Sequence, residues 1–382
     1  MKRISLAALA VLALAACETT NTSPDGRTQA AQAAASVNAI AAFEPQPSGT
    51  RASIDYSLVN EFLDAAVINL GPSTRKLAPP PRNPTNTRVK IGHQSRLRLE
   101  GNKIPFSQFD RDTREAVDEY AQSLVAIGNA TDITKLSKNE QLAYWFNLHN
   151  MLVIAEIAKQ YPVRNPSAMR VDGVPLHEAK LATINGVALS PRDIRIGIVY
   201  AYWGDPRVMY GFFHGDLASP SIQTDAWDPR FLNRDLGRNA KEFINSLRGV
   251  DKRGNQTLLV SPLYDEARDT LFPKWPGDFK DHLLDYADNE VAELINNRPV
   301  IEFGPYEERI ADLAGGQPYE SISPTQTPFA DPRLQNLPLS VQGMIADVSR
   351  KFQSPEFRAR RRGGTVTIID SDQIEEDTGT VE

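Results

Sequence analysis

The stretch that decides the fold is SKNEQLAYWFNLHNMLVIAEIAKQY, residues 137–161. Its apolar residues cover nearly the whole circumference of a helix, which is typical of a helix buried inside a globular domain. Ser137 and Glu140 have the spacing of a capping box at the start of such a helix. Pro162 should end it, because proline disfavours the helical conformation in the residue before it. We therefore predict one long buried helix at the centre of the domain.

Three polar residues of this helix, Asn147, His149 and Asn150, need hydrogen-bond partners if they are buried. They form either a structural polar network or the inner wall of a site that also includes Trp145. Asn147 and Asn150 lie about 60° apart on the helix. Both can therefore face a polar ligand or clamp a neighbouring loop, and we favour the clamp. For His149 we favour a hydrogen-bonded core position over a role in a site.

The rest of the chain predicts an α+β fold, a single mostly helical domain with a small antiparallel or mixed sheet around the buried central helix. Asn185-Gly186 predicts a hairpin turn at 181–189, because both residues tolerate the positive φ angles of that turn. Further helices are expected at 54–70, 107–127, 190–202, 233–247, 278–297 and 341–352, a second hairpin at 96–106, and strands at 208–213, 257–261 and 300–303.

The N-terminus resembles an export signal. Lys2 and Arg3 precede an apolar run at 4–16, and small residues stand before a cleavage point. The run is too short to cross a bilayer, which takes roughly 20 apolar residues. Its L-A-A-C ending resembles a bacterial lipobox, so Cys17 is expected to carry lipid, and Glu18 favours the outer membrane. We expect a cell-envelope lipoprotein of the outer membrane that faces the periplasm.

The predicted division of the chain has four parts. They are a signal peptide with lipobox at 1–17, a flexible tether at 18–51, a globular domain at 52–312 and a tail at 313–382. The tail is rich in proline, then basic around Arg358 to Arg362, then acidic. We interpret the basic run first as a solvated surface, and second as a contact with anionic lipid headgroups.

Composition excludes several kinds of site. Cys17 is the single cysteine among 382 residues, so there is no internal disulfide, cysteine-ligated zinc or thiol nucleophile. A net charge of −6 without a concentrated basic face argues against nucleic acid as a partner. The five histidines form no H-x-x-x-H or H-E-x-x-H pair, and no glycine-rich strand–helix junction is present. We therefore expect no metal and no cofactor.

The segment NEQLAYWFNLHNMLVI at 139–154 resembles the motif of the bacterial family called domain of unknown function 547. The order of later segments is similar too, with LSPRDIR, DPRV and a Ser-Pro loop, so that the resemblance covers about 135–300. It implies a degenerate cysteine-hydrolase-like site, since typical members have a histidine shortly after DPR and a cysteine before the loop proline. Those positions here are Met209 and Ser219, so a thiol mechanism is absent.

Ser219 is the candidate to replace the missing thiol. His214 and Asp216 lie in the same loop, and His149 is expected to face the same cavity, which would supply a nucleophile, a base and an orienting acid. However, no G-x-S-x-G elbow surrounds Ser219. Because a serine before proline is usually a turn residue, we favour a structural role for it.

Two functions fit these observations. The first is a lipid-anchored envelope protein that binds a ligand or partner, either an envelope protein, a small molecule or a peptide. Its pocket would lie between the central helix and the loop at 204–222, with Trp145, Asn147, Asn150 and Arg207 as the polar cluster. The second is a cysteine-independent hydrolase of peptide, amide or ester bonds that uses Ser219 and histidine. We favour the first, because the family's cysteine is missing.

Overall fold

Most of the regular structure is helical. The computed structural model describes residues 39–47, 52–80, 92–318 and 337–362. The α-helices of these ranges are α1 (Ser57–Ala66), α2 (Arg111–Ala130), α3 (Lys138–Gln160), α4 (Leu232–Ile244), α5 (Leu263–Leu271), α6 (Gly277–Tyr286), α7 (Asn289–Asn296), α8 (Leu339–Gln353) and α9 (Pro355–Arg362). Asp193–Tyr200 is π-helical, and 3₁₀ turns lie at Ala41–Phe43, Phe106–Gln108, Ile133–Lys135, Pro166–Ala168 and Pro206–Gly211.

Helix α3 begins and ends where the sequence predicts. The Ser137 Oγ accepts the N–H of Glu140 at 3.2 Å, and the helix stops just before Pro162. Every side chain from Glu140 to Ala155 is buried. Burial on all sides agrees with the apolar circumference of this segment and places α3 at the centre of the fold.

Helix α2 packs along α3 through a close approach at Gly128. A Cβ added there would lie 2.0 Å from the hydroxyl oxygen of Tyr144. That hydroxyl donates to the C=O of Leu124 at 3.1 Å. Asp110 caps α2 by accepting the N–H of Thr113 at 2.8 Å. The missing side chain at Gly128 therefore makes room for a hydrogen bond between the two helices.

The strands form small sheets at the edge of this helical core. In the described ranges, β1 (Arg170–Val171) pairs antiparallel with β2 (Val174–Pro175), and β3 (Ala182–Ile184) pairs antiparallel with β4 (Val187–Leu189). β5 (Val250–Arg253) is antiparallel to β6 (Thr257–Val260), which is parallel to β7 (Val300–Phe303). Asn185 and Gly186 have φ angles of 50° and 80°. The predicted hairpin at 181–189 and the α+β fold class are confirmed.

The hairpin predicted at 96–106 is wrong. Residues 96–99 form a turn rather than a strand. Lys103 forms an isolated bridge with Ile68, and Ile104 with Asp312. The alternating apolar residues at 96–99 belong to a partly buried turn. So short a pattern cannot distinguish such a turn from a strand.

Two further predictions need correction. The segment 208–213 is buried as predicted, but it belongs largely to the 3₁₀ turn Pro206–Gly211. An apolar run indicates burial without fixing the type of element. The single helix predicted at 278–297 is two helices, because Asp288 starts α7 by accepting the N–H of Val291 at 3.0 Å.

Helices α8 and α9 pack against the domain through charged as well as apolar contacts. Arg98 Nη2 and Asp347 Oδ2 lie 2.6 Å apart, and both side chains are largely buried. Arg360, from the basic run, pairs with Asp288 at 2.7 Å and with Glu290 at 2.6 Å. These two helices lie in the part of the sequence that was assigned to the tail.

No helix within the described ranges is long and apolar enough to cross a membrane. The predicted signal peptide and Cys17 lie outside those ranges. Within the predicted tether, Phe43 is buried, and its ring centroid lies 5.2 Å from that of Trp145.

Candidate functional site

Asn150 holds the loop that follows the last 3₁₀ turn. Its Oδ1 accepts the N–H of Phe213 at 2.9 Å, and its Nδ2 donates to the C=O of Gly211 at 3.0 Å. The same Oδ1 lies 3.0 Å from Nδ1 of His149. Asn150 therefore clamps the backbone at 211–213, which fixes the position of the next residue, His214.

The other three members of the predicted polar cluster act elsewhere. Asn147 clamps Trp227, accepting its N–H and donating to its C=O, both at 2.9 Å. Trp145 is fully buried among aromatic rings. Arg207 binds the carboxylate of Asp205, with Nε 2.8 Å from Oδ2. None of these three side chains lines the cleft described below.

Three histidines from distant parts of the chain meet beside Asn150. His149 lies on α3, His177 follows β2, and His214 follows the clamped backbone. Their ring centroids are 6.5 Å apart for His149 and His177, 6.1 Å for His149 and His214, and 5.1 Å for His177 and His214. We call them the histidine cluster. His177 was not predicted, because no sequence pattern marks the segment that carries it.

Arg195 reaches the histidine cluster from the π-helical segment, a type of helix often found at functional sites. Its Nη1 lies 3.1 Å from His149 Nε2 and 3.4 Å from His177 Nδ1. A guanidinium can only donate hydrogen bonds, so both of these ring nitrogens are acceptors. The proton of His149 therefore sits on Nδ1, facing Asn150. The proton of His177 sits on Nε2 and is donated to the C=O of His214 at 3.2 Å.

Glu266 on α5 neutralises Arg195. The contact is bidentate, with Nε–Oε1 and Nη2–Oε2 distances of 3.0 Å. Burial and the adjacent guanidinium hold the pKa of both His149 and His214 well below the ordinary histidine value, and lower the pKa of His177 to about 3. All three rings are therefore neutral at neutral pH. Arg195 could have been noticed in the sequence as a charged residue inside an isoleucine-rich helix. No sequence feature distinguishes Glu266.

A cleft of about 260 Å³ opens onto the histidine cluster, and we call it the histidine cleft. His177, His214, Arg195 and Tyr306 line it. His214 is only 5% exposed, and its Nε2 has no hydrogen-bond partner in the part of the chain that is described. A buried polar atom left without a partner costs free energy. This nitrogen is therefore the unsatisfied polar atom of the histidine cluster.

Ser219 is not hydrogen-bonded to an imidazole. Its Oγ donates to the C=O of Asp216 at 2.9 Å and accepts the backbone N–H of His214 at 3.2 Å. The carboxylate of Asp216 accepts the N–H of Ser219 and the O–H of Tyr306, both at 2.9 Å. These side chains satisfy the backbone of their own loop, as is common for serine and aspartate in turns. Ser219, His214 and Asp216 thus do not form the hydrogen-bond chain that a catalytic triad requires.

The geometry of the histidine cluster does not suit a metal ion. Within the described residues, no group of three or more His, Cys, Asp or Glu side chains could hold one. The lone pairs of His149 Nε2 and His177 Nδ1 already accept from Arg195.

Asp216 should make the folding stability depend on pH. Burial raises the pKa of Asp216 to about 7, whereas an aspartate in an unfolded chain has a pKa of about 3.9. The folded protein therefore binds this proton more tightly, and the resulting stabilisation is lost as the pH rises from about 4 to about 7. Asp216→Asn cannot lose a proton. The stability advantage of the wild type over this variant should thus fall across that window, by about 1.4 kcal/mol for each pH unit that is crossed.

Urea unfolding of both proteins at several pH values in that window measures this difference. Tyr306→Phe is the informative control, because the hydrogen bond from Tyr306 lowers the pKa of Asp216. Its loss should extend the window to higher pH. A difference between wild type and Asp216→Asn that stays constant across the window would contradict the assignment.

Comparison with known proteins places the histidine cluster, but not the whole lining of the cleft, within the range of a family model. Residues 133–244 match the model of a family described as protein of unknown function, DUF547. The matched range contains α3, the π-helical segment and all three histidines of the cluster, and it confirms the domain resemblance over the first part of the range expected from the sequence. Neither the curated proteins nor the solved structures contain a match.

Proposed function

We propose that this protein is a lipid-anchored component of the bacterial cell envelope that binds a small ligand in the histidine cleft without transforming it. The observation that carries the binding proposal is His214, which lines the cleft and whose buried Nε2 has no hydrogen-bond partner in the described structure. The proposed location rests on the lipobox-like sequence that ends at Cys17.

The location is tested through Cys17. Cells grown with an alkyne-labelled fatty acid should yield labelled protein, and Cys17→Ser should remove the label and leave the leader uncleaved. Glu18 leads us to expect the labelled protein in the outer-membrane fraction. A label that survives in Cys17→Ser would contradict lipidation at this residue.

The lining supports a ligand of the size of an amino acid or a dipeptide. The volume of about 260 Å³ is slightly below the roughly 300–1,000 Å³ of ordinary small-molecule pockets. Pro262 and Leu263 provide an apolar wall. At the rim, Arg192 and Glu178 are exposed and have no ion-pair partner among the described residues. One positive and one negative group match the carboxylate and ammonium of a zwitterion.

Calorimetric titration of the detergent-solubilised mature protein with amino acids and dipeptides tests this proposal. Arg192→Gln should weaken binding about fivefold or more, because one charge-assisted contact is lost. His214→Phe keeps a ring in place but removes the buried nitrogen, and should abolish binding. Arg170→Gln alters an exposed arginine on β1 outside the cleft and should bind like the wild type. The proposal fails if no ligand of this class binds, or if Arg192→Gln and Arg170→Gln behave alike.

The competing hydrolase hypothesis is tested with a fluorophosphonate probe. Because Ser219 Oγ is bonded to backbone groups and not to an imidazole, we expect no labelling of the wild type or of Ser219→Ala. Circular dichroism should first establish that both proteins are folded. Labelling of the wild type that disappears in Ser219→Ala would establish an activated serine and favour the hydrolase.

A further inference from the structure

A second and larger cleft, of about 650 Å³, lies apart from the histidine cleft and shares no lining residue with it. Its wall is formed by the segment after α1, the turn at Asn102, helix α4, the start of α7 and Arg360. Six carboxamide side chains line it, and we call it the amide cleft: Asn69, Asn102, Gln223, Asn239, Asn245 and Asn289.

Several of these carboxamides are held rigidly by backbone groups. Asn239 Nδ2 donates to the C=O of Tyr210 at 3.0 Å. Asn102 Nδ2 donates to the C=O of Ile222 at 2.7 Å. Asn245 Nδ2 donates to the C=O of Tyr286 at 2.8 Å, and its Oδ1 accepts the N–H of Asp288 at 2.6 Å. Side chains fixed in this way lose little conformational freedom when a ligand binds.

Other hydrogen-bonding groups of the cleft are left for a ligand. Asn69 uses its Oδ1 to accept the N–H of Gly71 at 2.7 Å, and its amide N–H groups have no further partner within the described ranges. Within the same described ranges, the Oδ1 of Asn102 and the whole side-chain amide of Asn289 also have no hydrogen-bond partner. The cleft therefore offers both donors and acceptors. A hydroxyl group needs both, since it donates one hydrogen bond and accepts two.

The charges of the amide cleft are largely balanced by partners in the protein. Arg360 pairs with Asp288, and Glu242 pairs with Arg248. Arg238 lies 3.2 Å from a carboxylate oxygen of its helix neighbour Asp235. Lys241 also lines the cleft and has no ion-pair partner among the described residues. One uncompensated positive charge therefore remains, which is little to attract a polyanion. The lining contains no aromatic or branched aliphatic side chain, so it offers no bulky apolar side chain against which an acyl chain or an apolar peptide side chain could pack.

We propose that the amide cleft binds a short saccharide, a ligand that presents many hydroxyl groups and little charge. This inference is independent of the ligand proposed for the histidine cleft. Without an aromatic ring to stack on the sugar, hydrogen bonds carry the binding, and the affinity is modest, with a dissociation constant on the order of 1 mM.

Saturation-transfer NMR on the mature full-length protein, in a sugar-free detergent, suits such an affinity. The probes are maltotriose and chitotriose, one plain and one N-acetylated trisaccharide, each titrated up to several times the expected dissociation constant. We expect saturation transfer from the protein to at least one of the two trisaccharides, and this signal should level off as the sugar concentration rises. Asn289→Trp should abolish it by filling the cleft, and Asn289→Ala should weaken it about fivefold through the loss of one hydrogen-bonding side chain.

Asn296 provides the matched control, since it is an exposed asparagine on the same helix α7 but outside the cleft. Asn296→Trp and Asn296→Ala should bind like the wild type. The proposal is overturned if neither trisaccharide binds, or if binding survives Asn289→Trp unchanged. Helical circular dichroism of each variant establishes that a loss of binding is not a loss of fold.

Discussion

Replacing Glu266 with glutamine should lower the free energy of unfolding by about 3–5 kcal/mol, the usual cost of removing one partner of a buried ion pair. The side chain of Arg195 is 3% exposed and that of Glu266 is 21% exposed, so the arginine is the member of the pair that would be left buried without its partner. Arg195 donates two hydrogen bonds to Glu266. Glutamine keeps the size of the side chain but removes its charge. The guanidinium would then remain buried beside three neutral histidines without a counter-charge.

Urea unfolding measures this loss, and Glu115→Gln serves as the control. Glu115 pairs with Arg111 on the surface of α2, where both side chains are more than half exposed, and its loss should cost below about 1 kcal/mol. The double variant Arg195→Met/Glu266→Met should recover only the part of the loss that comes from the uncompensated charge, because it also removes the donor of His149 Nε2 and His177 Nδ1. Equal effects of Glu266→Gln and Glu115→Gln would mean that Arg195 is well solvated.

Asn150→Ala should be almost as damaging, with a loss on the order of 4 kcal/mol. It leaves the N–H of Phe213, the C=O of Gly211 and Nδ1 of His149 buried without partners. Each such group costs about 1–3 kcal/mol. Because the same bonds hold the backbone just before His214, ligand binding in the histidine cleft should weaken as well.

Asn129→Ala provides a comparison with the same number of hydrogen bonds. Asn129 is exposed, and it bonds the backbone of Val125, Thr183 and Asn185. Water can replace those contacts, so the expected loss is below about 1 kcal/mol. If urea unfolding gives the two alanine variants similar stabilities, the clamp at Asn150 contributes less than its geometry indicates.

Local sequence patterns were sufficient for the parts of the fold that depend on neighbours in the chain. The all-round apolar pattern of α3 required burial on every side, and the Asn185-Gly186 pair required a turn with positive φ angles. The same reasoning gave two alternatives for Asn147 and Asn150, and their hydrogen bonds follow the clamp alternative. An apolar run such as 208–213 predicted only that the segment is buried. It did not predict the type of secondary structure, because that depends on the turns at the ends of the segment.

The histidine cleft was only partly predictable, for a physical reason. His149 and His214 were named from the sequence, but Arg195 and Glu266 come from elements separated by about 70 residues, and tertiary packing brings them together. The nearness of Ser219, His214 and Asp216 in the sequence was misleading. In a tight loop, short polar side chains bond first to the local backbone, which removes them from the chemistry that their residue types suggest.

The ion pair between Arg195 and Glu266 has a consequence for how this domain is divided. The range that matches the family model, 133–244, includes Arg195 and Asp216 but excludes Glu266 and Tyr306, which satisfy them. A fragment cut at those limits would expose a cation that has lost its anion and a carboxyl group that has lost its donor. The range recognised by the family model is therefore shorter than the range of chain needed to supply partners for both of these buried groups.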